Sequence, residues 1–390
     1  MVVDEVPGFV AAQAMFCRDN MVAQYPIAGV KNPRRQWGVM NPLFFFRRSR
    51  PERPPNACTA IFAALLFLPA LSLWAGEPAP PASDFEANVQ RVFADDQQAD
   101  VRVTFGYDNW TDYKDPNDPG RARNLMTWLA GRSFAQIICT ESMVTELGVP
   151  QDAQNLRVFQ GPGQAGQTIR VALIWSAYSS STAKNIGAGY ARQLVCSYQA
   201  LKFMQKSAAD ADVMVYVGHS RGGGGPDTYP PQTVARTDGD RQRVDFSYYR
   251  RERPGLAALS PWFSKNRDGP HFILWTGCLS ENFSDWFSDR LAGRTCPVSL
   301  VLSTRLTRQK PWQDGIEGSD EALMVVLRLI EALQQHQSLT EFQHRLLTCE
   351  IDELRNPGKP EWKLLSLPRV RTARQLVESK VPQASASMHP

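Results

Sequence analysis

The sequence predicts an α/β protein built as a three-layer sandwich, with a mainly parallel sheet between two layers of helices. Three runs rich in apolar and β-branched residues indicate strands that are covered on both faces: residues 212–218 (DVMVYVG), 271–277 (HFILWTG) and 297–304 (PVSLVLST). Each run is separated from the next by enough chain to form a helix, as parallel strands require. The 390 residues are 43% hydrophobic and 21% charged, which is typical of a globular protein.

Periodicity predicts the other elements. Alternating or continuous apolar residues mark three further strands: residues 101–107, 156–161 and 168–177. Helical spacing marks three long stretches: residues 133–148, 189–208 and 321–336. The first of these helices is expected to end at Gly148, because glycine adopts the left-handed conformation that commonly closes a helix.

The N-terminal region has the order of a secretory signal. Four arginines between positions 47 and 53 precede an apolar run at residues 57–76, and small residues place a cleavage site after Ala75. We therefore expect export to the periplasm or the extracellular space. An uncleaved signal would instead anchor the chain in a membrane through residues 57–75, and a buried core helix is a third interpretation of the same run.

Five segments are predicted along the chain. They are an upstream extension or mis-start (1–39), a signal peptide (40–75), a Pro-rich linker (76–84), an α/β catalytic-like domain (85–346) and a C-terminal extension (347–390). The net charge of +4 is small for this length and is partly carried by the N-terminal arginines, so no nucleic-acid partner is predicted.

Cysteine usage also bears on the chemistry. Five cysteines follow the predicted signal: Cys139, Cys196, Cys278, Cys296 and Cys349. Because five is odd, an oxidising compartment would leave at least one thiol without an internal partner. No Cys or His spacing indicates zinc, and the acidic loop Asp108–Gly120 does not follow the EF-hand pattern, so no metal or other cofactor is predicted.

The segment GHSRG, residues 218–222, offers two reactive residues. It matches Gly-x-Ser-x-Gly, the turn that exposes the nucleophile of α/β-hydrolases, which makes Ser220 the candidate nucleophile of a serine esterase or lipase. That turn requires a helix directly after the serine, whereas residues 222–231 (GGGGPDTYPP) are glycines, prolines and polar residues that disfavour one.

His219 is the other candidate, paired with Cys278. Each follows one of the predicted central strands, and ligands of such sheets bind beyond the carboxyl ends of the strands. A thiol is strongly nucleophilic near neutral pH, and a histidine titrates in the range needed to protonate a departing amine. The simpler alternatives are a turn histidine, and a Cys278 that is either a small core residue or a disulfide partner of Cys296.

These two strand ends resemble the caspase, legumain and gingipain clan of cysteine peptidases, whose catalytic His and Cys close successive strands. Cys278, Leu279 and Ser280, with Phe283 close behind, are similar to the cysteine-x-serine turn of legumain. The resemblance implies a caspase/legumain-like fold and a peptidase in which Cys278 is the nucleophile and His219 the general acid and base. The substrate would be a peptide or a protein.

The resemblance also assigns supporting roles. It implies that Gly218, Ser220 and Gly277 support the oxyanion site and the two loops, although the clan has a glycine where this chain has Ser220 and an alanine where it has Gly277. Ser303 and Thr304 would border the pocket for the first residue of the substrate.

Two further possibilities stay open. Arg221 and Asp227 are candidates to orient His219 or to form an ion pair within their own loop. The glycine-rich motifs also resemble a group of uncharacterised exported bacterial proteins, which leaves a non-catalytic envelope module as an alternative to both hydrolases.

Overall fold

The computed structural model describes residues 84–108, 116–221, 225–231, 234–238, 241–265, 269–304, 320–347 and 362–367. The predicted upstream extension, the signal peptide and almost the whole linker lie outside these residues. In the part of the chain that is described, no helix combines the length and the apolar character needed to cross a membrane.

Ten strands are present among the described residues, and eight of them form one sheet in the order β10-β9-β8-β5-β1-β4-β3-β2. The strands of this sheet are β1 (Gln98–Phe105), β2 (Ala135–Ile137), β3 (Leu156–Pro162), β4 (Thr168–Trp175), β5 (Val213–Val217), β8 (Phe272–Trp275), β9 (Val298–Ser303) and β10 (Trp362–Leu367). The five central strands β9, β8, β5, β1 and β4 are parallel. The outer strands β10, β3 and β2 are antiparallel to their neighbours, and β6 (Val234–Asp238) with β7 (Arg241–Val244) forms a separate hairpin.

Helices connect the strands. They are α1 (Asp84–Arg91), α2 (Asp118–Gly131), α3 (Glu141–Leu147), α4 (Thr182–Ile186), α5 (Tyr190–Asp210), α6 (Phe246–Glu252), α7 (Pro254–Phe263), α8 (Ser284–Leu291), α9 (Glu321–Gln335) and α10 (Leu339–Leu347), with a 3-10 turn at Ser280–Phe283 before α8. The long helices predicted at 189–208 and 321–336 are therefore confirmed as α5 and α9.

The sheet separates two apolar layers. Along β5, Val213 and Val215 face the layer that contains α1, α2, α9 and α10. Met214 and Tyr216 alternate with them and face the layer of α5, α7 and α8. Helix α3 packs together with α5 against β3 and β4. Both faces of the central strands are therefore buried, which explains why β5 and β8 are continuously hydrophobic in sequence. The predicted α/β sandwich with a mostly parallel, mixed sheet is confirmed.

One helix prediction was partly wrong. Residues 133–148 form the short edge strand β2 before they form a helix, because β3 offers an unpaired edge that residues 135–137 complete. Helix α3 begins only after Thr140, whose hydroxyl accepts the N–H of Met143. Its end at Gly148, in the left-handed conformation (φ 72°), is as predicted.

Strand β10 lies in the region predicted as the C-terminal extension. It pairs antiparallel with β9 from Trp362 to Leu367 and so adds an edge strand to the main sheet. The helices and strands described up to residue 347 lie within the segment predicted as the α/β domain, apart from the first residue of α1, Asp84, and the last residue of α10, Leu347.

Candidate functional site

Three neighbouring parallel strands carry polar residues to one edge of the sheet. β1, β5 and β8 pair directly, with Phe105 opposite Val217 and Tyr216 opposite Trp275. Asp108, His219 and Cys278 follow the carboxyl ends of these strands in that order. Because neighbouring strands lie about 4.8 Å apart, side chains from consecutive strand ends can touch.

The structure brings these three side chains together. The imidazole of His219 is hydrogen-bonded to the thiol of Cys278. Its Nε2 atom lies 2.8 Å from Oδ1 of Asp108. At this distance the carboxylate and the protonated imidazole form a close ion pair. The order Asp108, His219, Cys278 is that of an acid, a base and a nucleophile.

The surroundings favour a charged imidazole. Burial lowers the pKa of His219, but the Asp108 carboxylate and the hydrogen bond to Cys278 outweigh burial and raise it above its ordinary value. Burial also raises the pKa of Asp108, while the positive charges of His219 and Arg121 bring it well below the usual range of a carboxyl group. Asp108 is therefore a carboxylate at neutral pH, and His219 holds its proton to a higher pH than a free histidine does.

A buried arginine holds the other side of Asp108. Arg121, in the first turn of α2, donates from NH1 to Oδ2 of Asp108 at 2.9 Å. It also donates from Nε and NH2 to the two oxygens of Asp320, at 2.6 Å and 2.8 Å. Asp320 is the N-cap of α9, where its Oδ1 accepts the N–H of Leu323. The carboxylate that faces His219 is thus fixed by a network that reaches two helices.

Cys278 lies on a tight turn between β8 and the 3-10 turn. It is half-buried, and Leu279 after it adopts the left-handed conformation with φ 53°. The hydroxyl of Ser280 donates to the carbonyl oxygen of Trp275 at 2.5 Å and accepts the N–H of Ser303 at 2.7 Å. These bonds tie the cysteine turn to the end of β9. Ser303 itself is fully buried, and Thr304, the next residue, is half-buried beside it.

The cysteines do not form the disulfide that the sequence left open. Neither Cys278 nor Cys296 forms a disulfide, and the same holds for the other cysteines within the described residues, Cys139 and Cys196. The structure therefore contradicts a disulfide between Cys278 and Cys296. The sulfur of Cys278 is instead hydrogen-bonded to His219.

Ser220 lies beside the site but points away from solvent. It is fully buried, and its Oγ makes no hydrogen bond within the described chain. A Cβ placed on Gly277 would lie 2.3 Å from that Oγ, and one placed on Gly218 would lie 2.7 Å from the hydroxyl of Tyr216. Gly218, Ser220 and Gly277 therefore pack the His219 loop against the Cys278 loop. A buried hydroxyl that a substrate cannot reach disfavours Ser220 as a nucleophile, and no helix is present at residues 225–231.

Arg221 and Asp227 hold the histidine loop together. Nε of Arg221 donates to Oδ2 of Asp227 at 2.8 Å, and its NH2 donates to the carbonyl oxygen of Tyr107. The hydroxyl of Tyr216 donates to the carbonyl oxygen of His219 and accepts the N–H of Asp227, each at 2.9 Å. Of the two roles considered for this pair, the structure shows the ion pair within the loop, and Asp108 is the carboxylate next to the imidazole.

Three residues of the site were missed from the sequence. Asp108 was interpreted only as the start of a polar loop, and Arg121 and Asp320 were not considered. Asp108 could have been found, because it follows a predicted strand at the edge where His219 and Cys278 lie. Within the described residues, no group of three or more His, Cys, Asp or Glu side chains is arranged to hold a metal ion.

No protein-family model, curated protein or solved structure matches the chain. The chemical roles of Asp108, His219 and Cys278 therefore rest on the geometry of this edge of the sheet.

Proposed function

We propose that this protein is an exported cysteine peptidase, a thiol hydrolase of peptide bonds with a caspase/legumain-like fold. One observation carries the proposal: the hydrogen bond between His219 and Cys278, next to the Asp108 carboxylate, at the carboxyl edge of three adjacent parallel strands. The combination of a nucleophile, a base and an orienting acid is the general signature of an activated nucleophile.

Each residue has a step to perform. The sulfur of Cys278 attacks the carbonyl carbon of the scissile bond, and His219 delivers its proton to the departing amine as the C–N bond breaks. A water molecule then gives a proton to His219 as its oxygen attacks the thioester carbonyl. The C–S bond breaks, which releases the acid product and restores the thiolate of Cys278 beside the imidazolium of His219. Asp108 stabilises the imidazolium that exists before the first transfer and after the second.

The strand positions support the finer assignment of the fold. In the caspase and legumain clan the catalytic His and Cys close successive strands, and here they close β5 and β8, which are direct neighbours in the sheet. The turn after Cys278, anchored by Ser280, is consistent with the cysteine-x-serine turn to which it is similar. The substrate would be a peptide or protein met outside the cytoplasm, because the arginine cluster and apolar run at residues 47–76 have the order of an export signal.

Variants of Cys278 test the activity directly. We expect Cys278→Ala to abolish cleavage of a broad peptide library and labelling by an acyloxymethyl-ketone probe, since it deletes the nucleophile. Cys296→Ala is the matched control, because it removes another half-buried free thiol and should leave both signals unchanged.

Three results would contradict the proposal. Fluorophosphonate labelling that is lost in Ser220→Ala would establish the serine esterase. Full peptidase activity in Cys278→Ala would remove the thiol from the mechanism. A wild-type protein that labels with neither probe and cleaves no peptide would be the non-catalytic envelope module.

A further inference from the structure

The ion pair between Arg121 and Asp320 is buried directly behind the candidate site. The side chains of Arg121, Asp108 and Asp320 are 7%, 7% and 1% exposed. Three charge-assisted hydrogen bonds join these side chains: Nε and NH2 of Arg121 donate to Asp320, and NH1 donates to Asp108. The planar guanidinium therefore presents one edge to each carboxylate.

This geometry leaves Asp108 little freedom. Its Oδ2 is held by Arg121, and this orients Oδ1 towards Nε2 of His219. Arg121 is in turn held by a two-pronged contact to Asp320, which α9 fixes through the cap at Leu323. The orientation of the imidazole thus depends on residues that do not touch it, and these residues come from two helices of one layer.

We propose that Arg121 and Asp320 are positioning residues: clamped by Asp320, Arg121 fixes the Asp108 carboxylate against His219 and so maintains the thiolate form of Cys278. The proposal rests on the proposed function, since it explains how that site would keep its nucleophile charged. Neither residue is assigned contact with the substrate.

Charged groups from several elements of the described chain act on the imidazole or on the Asp108 carboxylate beside it. Asp108 comes from the end of β1, Arg121 from α2, Arg221 and Asp227 from the loop after β5, and Cys278 from the loop after β8. The sulfur of Cys278 also lies close enough to Arg121 that a negative charge on it raises the pKa of that guanidinium. Removal of the Arg121 side chain therefore withdraws a cation from the thiolate and frees Asp108 to turn away from His219. Both effects disfavour the thiolate.

The test is the double variant Arg121→Gln with Asp320→Asn. It removes one positive and one negative buried charge together, so the net buried charge is unchanged. The control is Arg170→Gln with Glu146→Gln, which removes one positive and one negative charge from another arginine and carboxylate pair, in which the arginine is largely buried and the glutamate is 42% exposed. The measurement is the rate at which iodoacetamide alkylates Cys278 from pH 5 to pH 9, followed by mass spectrometry, with Cys296 as the internal reference.

We expect alkylation of Cys278 at pH 6 to fall on the order of tenfold in the site variant, with the midpoint of the profile about one pH unit higher. Cys296 should be unaffected, and the control variant should keep the wild-type profile for Cys278. A folded site variant with an unchanged profile would overturn the proposal. If the double variant does not fold, Asp320→Asn alone loosens the clamp and should still shift the midpoint upward; an unshifted midpoint there would be equally decisive against it.

The same experiment separates this inference from the proposed function. If wild-type Cys278 reacts no faster at pH 6 than Cys296, the proposed nucleophile itself fails. If wild-type Cys278 reacts faster than Cys296 at pH 6, and Cys278 in the site variant reacts at the same rate as in the wild type, only the positioning role of Arg121 and Asp320 fails.

Discussion

Gly277→Ala should disrupt the candidate site through a single contact. The added Cβ would lie 2.3 Å from Oγ of Ser220, 3.1 Å from the carbonyl oxygen of Gly218 and 3.5 Å from Cβ of Ser220. Ordinary contacts lie near 3.5 Å, so the first represents an overlap of about 1 Å. Ser220 is fully buried and has little room to rotate. Overpacking of this kind costs about 1–3 kcal/mol, and the strain falls on the bonds that set the distance from His219 to Cys278.

Ser220→Ala should rescue that variant. It removes the Oγ atom and leaves the two methyl groups 3.5 Å apart, an ordinary contact. The 3.1 Å contact with the carbonyl oxygen of Gly218 remains, so more than half of the loss should be recovered, but not all of it. Taken alone, Ser220→Ala should be neutral or stabilise the fold by up to about 1 kcal/mol, because it deletes a buried hydroxyl that makes no hydrogen bond within the described chain. The free energy of unfolding from urea denaturation and the alkylation rate of Cys278 measure both effects in the four proteins of the cycle.

Gly293→Ala is the control, since a Cβ there meets nothing within 4 Å. The reasoning is refuted if Gly277→Ala keeps wild-type stability and reactivity, or if adding Ser220→Ala recovers less than half of the loss. A dead Ser220→Ala protein with normal folding would further show that the hydroxyl acts in chemistry rather than in packing.

Three other predictions concern pH and processing. Asp108→Asn should lower the pKa of His219, because burial then acts without the opposing carboxylate, and the alkaline limb of the activity profile should move to lower pH; an NMR titration of the His219 ring checks this. Burial raises the pKa of Asp212 to about 7. Because the folded state then binds this proton more tightly than the unfolded state, protonation of Asp212 stabilises the fold. That contribution, at most about 4 kcal/mol, is lost as the pH rises from about 4 to 7. Asp212→Asn should therefore flatten the stability profile in that window, and an unchanged slope in urea denaturation would contradict this. Protein secreted by the producing cell should begin near Gly76 by N-terminal sequencing, whereas intact cytoplasmic protein that retains Met1 would show that residues 57–76 are not a signal.

The central sheet was predictable because its strands are buried on both faces. Val213 to Val217 and Phe272 to Trp275 contain only aliphatic and aromatic side chains, so each is recognisable as a continuous hydrophobic run. The edge strand β2 was not predictable in this way. Its three residues are exposed or half-buried, and helical and strand patterns are hard to distinguish over so short a stretch.

The candidate site was predictable only in part, for a related reason. His219 and Cys278 could be paired because each directly follows an apolar run, and parallel strands end at one edge. The support of the site depends on contacts that no local pattern reveals. Arg121 and Asp320 are separated by 199 positions, and their pairing follows from the packing of α2 and α9 in one layer.

Two of the buried arginine networks in the described chain differ in how completely they exclude water. Arg102 contacts Glu146 and Asp210, whose side chains are 42% and 34% exposed, so water still solvates part of that network. At the candidate site, both carboxylates that hold Arg121 are almost fully buried. Buried ion pairs rarely stabilise a fold more than apolar residues of the same size would, because the charges lose their hydration. The network at Arg121 is therefore better explained by the orientation it gives Asp108 than by its contribution to stability. Replacement of both Arg121 and Asp320 by apolar residues should separate the positioning role from the stabilising one. We expect the fold to be kept and the alkylation of Cys278 to be slower.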